Sequence, residues 1–158
     1  MEPERLVGQL LKERNYTLAI AESCTGGLIS SKVTDISGSS SYFAGGIVAY
    51  SNEAKRDILH VPQEVLRFYG AVSSETALAM AKGVRALLKT SIGLSVTGIA
   101  GPEGGTKEKP VGLVYIALVT DSVSRSDRHI FSGNRLEIKE QTCREALEKI
   151  LKYAISVH

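Results

Sequence analysis

The sequence predicts a three-layer α/β/α fold on a mixed β-sheet, carried by a single domain. Two features carry this expectation. Apolar strand-like runs alternate with helix-patterned runs in the first half, and a succession of strands fills the second half before a closing helix. The composition agrees: 158 residues, 43% hydrophobic and 23% charged, suit a globular unit with a buried core and argue against disorder.

Taken in order, Leu6 to Arg14 places Leu6, Leu10 and Leu11 at helical spacing and ends near Asn15. Thr17 to Ala21 is a short apolar strand, and Leu28 to Val33 belongs to the helix after it. Ser37 to Ser41 is a loop by composition. Phe43 to Tyr50 returns to a strand, with Gly45-Gly46 allowing a bulge or close backbone approach. Ser51 or Asn52 can cap a short helix through Leu59, and Pro62 to Tyr69 reads as another. Ser74 to Leu88 is the clearest helix, with Ala77, Met80, Ala81, Val84 and Leu88 on one apolar face. Ile92 to Ala100 is a strand entering the glycine-rich loop Gly101 to Gly105. Val111 to Thr120 and Ser124 to Phe131 flank an Asp121-Ser122 turn, and a helix from about Leu136 to Tyr153 closes the chain. No internal repeat, linker or low-complexity tract interrupts it.

Several function classes are disfavoured. A formal charge of +2 without a Lys/Arg stripe gives no nucleic-acid surface. No apolar run reaches membrane-spanning length, and the first residues lack a signal-peptide pattern. Cys24 and Cys143 have no metal-like spacing, which points to a reducing cytoplasmic setting. His60, His129 and His158 are scattered, so a Ser-His-Asp triad has little support, and no metal or cofactor is expected. His129 reads as a strand-surface residue.

The chemistry concentrates in Ala21-Glu22-Ser23-Cys24-Thr25-Gly26-Gly27 and Tyr50-Ser51-Asn52-Glu53-Ala54-Lys55. Ser23 falls in a strand-to-helix turn, where it reads either as a nucleophile at a helix N-terminus or as the helix N-cap. A nucleophile there leaves the cap to Thr25 or to ligand. Cys24 is a neighbouring thiol that also reads as a small buried hydrophobe. Lys55 is a candidate base or a solvated surface lysine. As a base its pKa must fall from about 10.4 toward roughly 7–8, which takes burial or a nearby positive charge. Tyr50 reads as a proton relay between the two or as a sheet-edge aromatic. The stretch from Val96 through Gly105 to Gly112 is neither a Walker loop nor a dinucleotide fingerprint, yet its glycines suit close approach of an anion. Arg135 pairs with a phosphate or is simply solvated.

Together these motifs resemble the CinA C-terminal domain family, whose enzymatic members are nicotinamide mononucleotide amidohydrolases. The resemblance runs through AESCTGG (21–27), GGIVAYSNEAK (45–55), GAVSSETALAMA (70–81), SVTGIAGPEGGTKEKPVGLVYIA (95–117) and FSGNR (131–135). It implies a metal-free Ser/Lys hydrolase of a small-molecule carboxamide, with Ser23 as nucleophile, Lys55 as general base and Tyr50 as supporting hydroxyl. Thr97 and Arg135 are the implied substrate contacts. Thr25, Gly26, Gly45, Gly46, Asn52 and Gly101 are further expected contacts. Asn134 stands where the family usually has aspartate, and Lys139 where it has arginine, which bears on phosphate or ribose recognition. Many members carry a larger N-terminal domain, so the resemblance concerns the deamidase part. A nucleotide-binding module without turnover and an amidase for another carboxamide are the alternatives. A homo-oligomer is expected from the frequency of association among small α/β enzymes.

Overall fold

β1 (Leu18–Glu22) runs through the interior of a five-stranded sheet, and all five of its residues are buried. The computed structural model describes residues 2–156; Met1 and His158 lie outside them. The strand order is β2 (Phe43–Val48), β1, β3 (Ile92–Gly98), β4 (Leu113–Val119), β5 (Ser124–Ile130). β1 pairs in parallel with β2 and β3, whereas β3–β4 and β4–β5 are antiparallel, so the sheet is mixed as the sequence predicts.

The alternation of β1 sorts its neighbours. Leu18 and Ile20 face a core shared with Val7 and Leu11 of α1 (Pro3–Arg14), Ile29 and Val33 of α2 (Leu28–Thr34), and α6 (Arg135–Ser156). Ala19 and Ala21 face Met80 and Val84 of α5 (Ser74–Leu88), with α3 (Asn52–Asp57) and α4 (Gln63–Tyr69) completing that layer. Small residues at 19 and 21 suit a helix lying close on the sheet. Gly93 on β3 has the same meaning, because a Cβ there would overlap the Ala81 carbonyl and the Arg85 side chain.

Element ends shift by a few residues from expectation. The 37–41 loop contains a single 3₁₀ turn at Ser39–Ser41, and α3 stops at Asp57, short of Leu59. α5 has the predicted bounds because Ser73 caps it, accepting from the Thr76 amide at 3.1 Å, and Lys89 ends it in the left-handed region. His129 is half-buried and stacked on Phe131 at 5.3 Å. Among the described residues, no helix is long and apolar enough to cross a membrane.

The chain passes from β1 to β2 on one side and later to β3 on the other. In such a doubly wound order, a crevice opens at the carboxyl ends of the strands where the connections diverge. Glu22, Val48 and Gly98 end their strands there.

Candidate active site

Beyond β1 the chain turns through Ser23–Gly27, with Gly26 (φ 62°) and Gly27 (φ 107°) in the left-handed region. The Ser23 amide donates to the Val96 carbonyl at 3.1 Å, tying the serine to β3. One strand over, β2 leads through Ala49 and Tyr50 into α3. Ser51 caps that helix by accepting from the Ala54 amide at 3.1 Å. This entry turns Lys55 inward.

Lys55 is 1% exposed, and its Nζ lies 2.9 Å from Ser23 Oγ. It also donates to the carbonyls of Ala49 at 3.0 Å and Tyr50 at 3.1 Å. The solvated-lysine reading is thereby excluded. Among the described residues Lys55 has no carboxylate partner, and burial pushes its pKa below the ordinary 10.5. In the neutral amine, two N–H groups hold the carbonyls while the lone pair faces the Ser23 hydroxyl proton. That is the geometry of a general base on a nucleophile.

The neighbouring thiol is set up differently. Burial, with the nearby Glu22 charge adding to it, pushes Cys24 up to about 12. A protonated thiol is a poor nucleophile, so Cys24 forms part of the wall.

Ser23, Tyr50, Lys55, Thr97 and Arg135 border one cavity of about 170 Å³. Thr97 donates its hydroxyl to the Ala71 carbonyl at 2.8 Å, fixing the 70–73 loop as one wall. Arg135 Nη1 donates to the Gly101 carbonyl at 2.7 Å and Nη2 to the Tyr50 hydroxyl at 3.0 Å.

Other expected residues sit elsewhere. The Tyr50 hydroxyl bonds to Arg135 rather than standing between Ser23 and Lys55; only its carbonyl reaches Lys55. Thr25 is buried with its hydroxyl donated to Glu22 at 2.6 Å, so its side chain faces the interior instead of the cavity. Gly45 and Gly46 lie within β2, where a Cβ would crowd the Leu88 and Ser30 side chains, and neither borders the cavity. Asn52 is exposed at the start of α3 and borders no part of the cavity. Gly101 contributes a carbonyl that anchors Arg135, and the exposed loop after it stands outside the cavity wall. Gly26 shapes the turn, with Lys139 Nζ 3.9 Å from where its Cβ would be.

The N-cap reading of Ser23 is corrected as well. The helix begins only at Leu28, and its first amides are capped from upstream by the Glu22 carboxylate. Neither Ser23 nor Thr25 caps it, and the helix end is closed to an anion. The Gly26 amide is engaged too, donating to the Ser23 carbonyl at 3.1 Å. Among the described residues, the amides of Cys24 and Thr25 donate to no backbone carbonyl and are candidate donors beside Ser23. Glu22 itself escaped the sequence reading. Its signal was a carboxylate closing an otherwise apolar strand immediately before a two-glycine turn.

The same arrangement of elements recurs in solved structures. A CinA superfamily protein from Klebsiella pneumoniae superposes with a TM-score of 0.93 at 29% identity, covering 99% of this chain and all of that one. The competence/damage inducible protein CihA from Agrobacterium tumefaciens gives 0.87 at 41% identity, covering 95% and 94%. Among curated relatives, the CinA-like protein of Geotalea uraniireducens is 51% identical over 154 residues, 98% of this chain and 37% of its own length. That of Citrifermentans bemidjiense is 50% identical over 147 residues, 93% and 36% respectively. The chain thus spans little more than a third of the curated relatives it matches. The CinA C-terminal domain model matches residues 2–154, and with this identity over nearly the whole chain it makes the protein a member of the CinA C-terminal domain family.

Proposed function

We propose that the protein is a Ser/Lys amidohydrolase that converts nicotinamide mononucleotide to nicotinic acid mononucleotide and ammonia, in pyridine-nucleotide recycling in the cytoplasm. The observation that carries this reading is the buried Lys55 amine 2.9 Å from Ser23 Oγ, with no carboxylate among the described residues to hold it charged.

Ser23 Oγ attacks the carboxamide carbon as Lys55 takes the hydroxyl proton. The oxyanion accepts from the Cys24 and Thr25 amides, an effect worth about 3–4 kcal/mol per donor. Lys55 then passes its proton to the departing nitrogen, the C–N bond breaks, and ammonia leaves an acyl-serine. Water attacks the ester, Lys55 takes its proton, and the proton returns to Ser23 Oγ as the carboxylate product departs.

The cavity volume of about 170 Å³ is below the roughly 300–1,000 Å³ that encloses a drug-sized ligand. It suits the ring carboxamide, with ribose and phosphate passing outward over Arg135. Ammonia release from nicotinamide mononucleotide, with chelator present, tests the reading in wild type and Ser23→Ala side by side. Release that vanishes in the variant supports it. A folded wild type that releases none moves the reading to another carboxamide or to a binding module without turnover.

A further inference from the structure

We propose that Glu22 is a positioning residue for Ser23, a role that rests on the hydrolase reading above: its carboxylate staples the Ser23–Gly27 turn onto α2 and leaves the Cys24 and Thr25 amides as the oxyanion donors.

Glu22 is fully buried, which for an acidic side chain demands compensation. Among the described residues no cation forms an ion pair with it. Five hydrogen bonds take that place. Oε1 accepts from the Thr25 hydroxyl at 2.6 Å, the Gly27 amide at 3.1 Å and the Ile29 amide at 3.0 Å. Oε2 accepts from the Ser30 amide at 2.8 Å and the Ser30 hydroxyl at 2.7 Å. Every partner is drawn from the turn or the first turn of α2. Register explains the reach, since Glu22 lies on the same face of β1 as Leu18 and Ile20, the face that α2 covers.

The turn between carboxylate and helix is therefore closed at both ends. Ser23 is fixed on one side by its amide on Val96 and on the other by this cap. A helix N-terminus ordinarily competes for developing negative charge. Here the carboxylate occupies it, which leaves the Cys24 and Thr25 amides of the turn to the transition-state oxyanion.

The chemistry of the five bonds makes a sharp test. A carboxylate accepts all of them, whereas the amide of a glutamine must turn its NH₂ toward one set. The Thr25 and Ser30 hydroxyls can rotate to accept. The backbone N–H groups of Gly27, Ile29 and Ser30 cannot, so Glu22→Gln sets donor against donor at one or two of them. Thr25→Val removes a single bond with little change of shape.

The experiment compares wild type, Glu22→Gln and Thr25→Val as full chains, with thermal melts confirming that each is folded at the assay temperature. Turnover of nicotinamide mononucleotide is measured alongside labelling of Ser23 by a fluorophosphonate, which phosphonylates the serine with loss of fluoride. Expected for Glu22→Gln is a kcat lowered about 100-fold with KM within about 3-fold, since one oxyanion donor is worth 10²–10³ in rate. The labelling rate falls in parallel while the final labelled fraction stays complete. Thr25→Val shows the same pattern at about one tenth of the activity. A folded variant that labels and turns over within 3-fold of wild type overturns the proposal. So does a reduced labelled fraction at unchanged rate, which is what mere loosening of the fold produces. If Glu22→Gln does not fold, Thr25→Val decides. If wild type labels at Ser23 but leaves the nucleotide intact, the substrate reading fails and the labelling rates alone judge Glu22. If wild type neither labels nor turns over, both fail.

Discussion

Arg135 and Tyr50 meet at the mouth of the cavity, where Nη2 donates to the phenolic oxygen at 3.0 Å while Nη1 holds the Gly101 carbonyl at 2.7 Å. Three distant parts of the chain are thereby tied by one planar cation. A lysine cannot reproduce both bonds, because its ammonium is a point donor without a rigid fork. Arg135→Lys is expected to raise KM for the phosphorylated substrate about tenfold, with kcat within about threefold. Steady-state kinetics on nicotinamide mononucleotide and nicotinamide riboside check this. An equal rise for both substrates would show that Arg135 organises the mouth without reading the phosphate.

The buried lysine dictates a pH dependence. On the proposed mechanism activity needs the neutral amine, so kcat/KM should climb with pH and level off above an apparent pKa lower than 10.5. Lys55→Arg, which stays protonated throughout, should lose about 10³-fold or more in rate. The same shift enters stability. Between the lowered folded value and 10.5 the unfolded chain binds more protons than the folded one, so stability rises with pH across that window and stays level at its lower value beneath it. Urea denaturation of wild type and Lys55→Met over pH 7 to about 10.5 measures the slope, which should flatten in the variant.

Both thiols are buried, and burial holds Cys24 and Cys143 up at about 12. Iodoacetamide at pH 8 should leave the native protein unmodified and fully active for hours, then alkylate both cysteines in denaturant. Rapid inactivation with one carboxamidomethyl group on Cys24 would transfer the nucleophile assignment from Ser23 to the thiol.

α5 reaches the sheet through Gly93, where an added methyl would overlap the Ala81 carbonyl. Gly93→Ala should cost about 2–3 kcal/mol. Equilibrium urea denaturation reads the loss directly, and one under about 0.5 kcal/mol would mean that the helix lifts off β3 freely.

What the sequence disclosed and what it withheld follow from the range of the interactions. The bounds of α5 were legible because its cap, apolar face and end all lie within the segment. Ser23 and Lys55 were legible as chemical types, yet their meeting depends on two adjacent parallel strands ending side by side. The Tyr50 hydroxyl was misplaced because its partner comes 85 residues later. Thr25 was misread for a more local reason. A hydroxyl beside a nucleophile suggests a ligand contact, and only the inward face of Glu22 reveals a competing acceptor. A lone acid at a strand end ordinarily reads as the point where the chain reaches water.

Because β4 runs against β3, the chain segment joining β4 to β5 lies at the rim of the sheet opposite the cavity. Asp121 and Ser122 are exposed there, beyond the far ends of the strands that deliver Ser23 and Lys55. That rim is a natural attachment point. A fluorophore, an affinity peptide or a surface-immobilisation linker grafted between these two residues would leave the mouth of the Ser23–Lys55 cavity facing open solution.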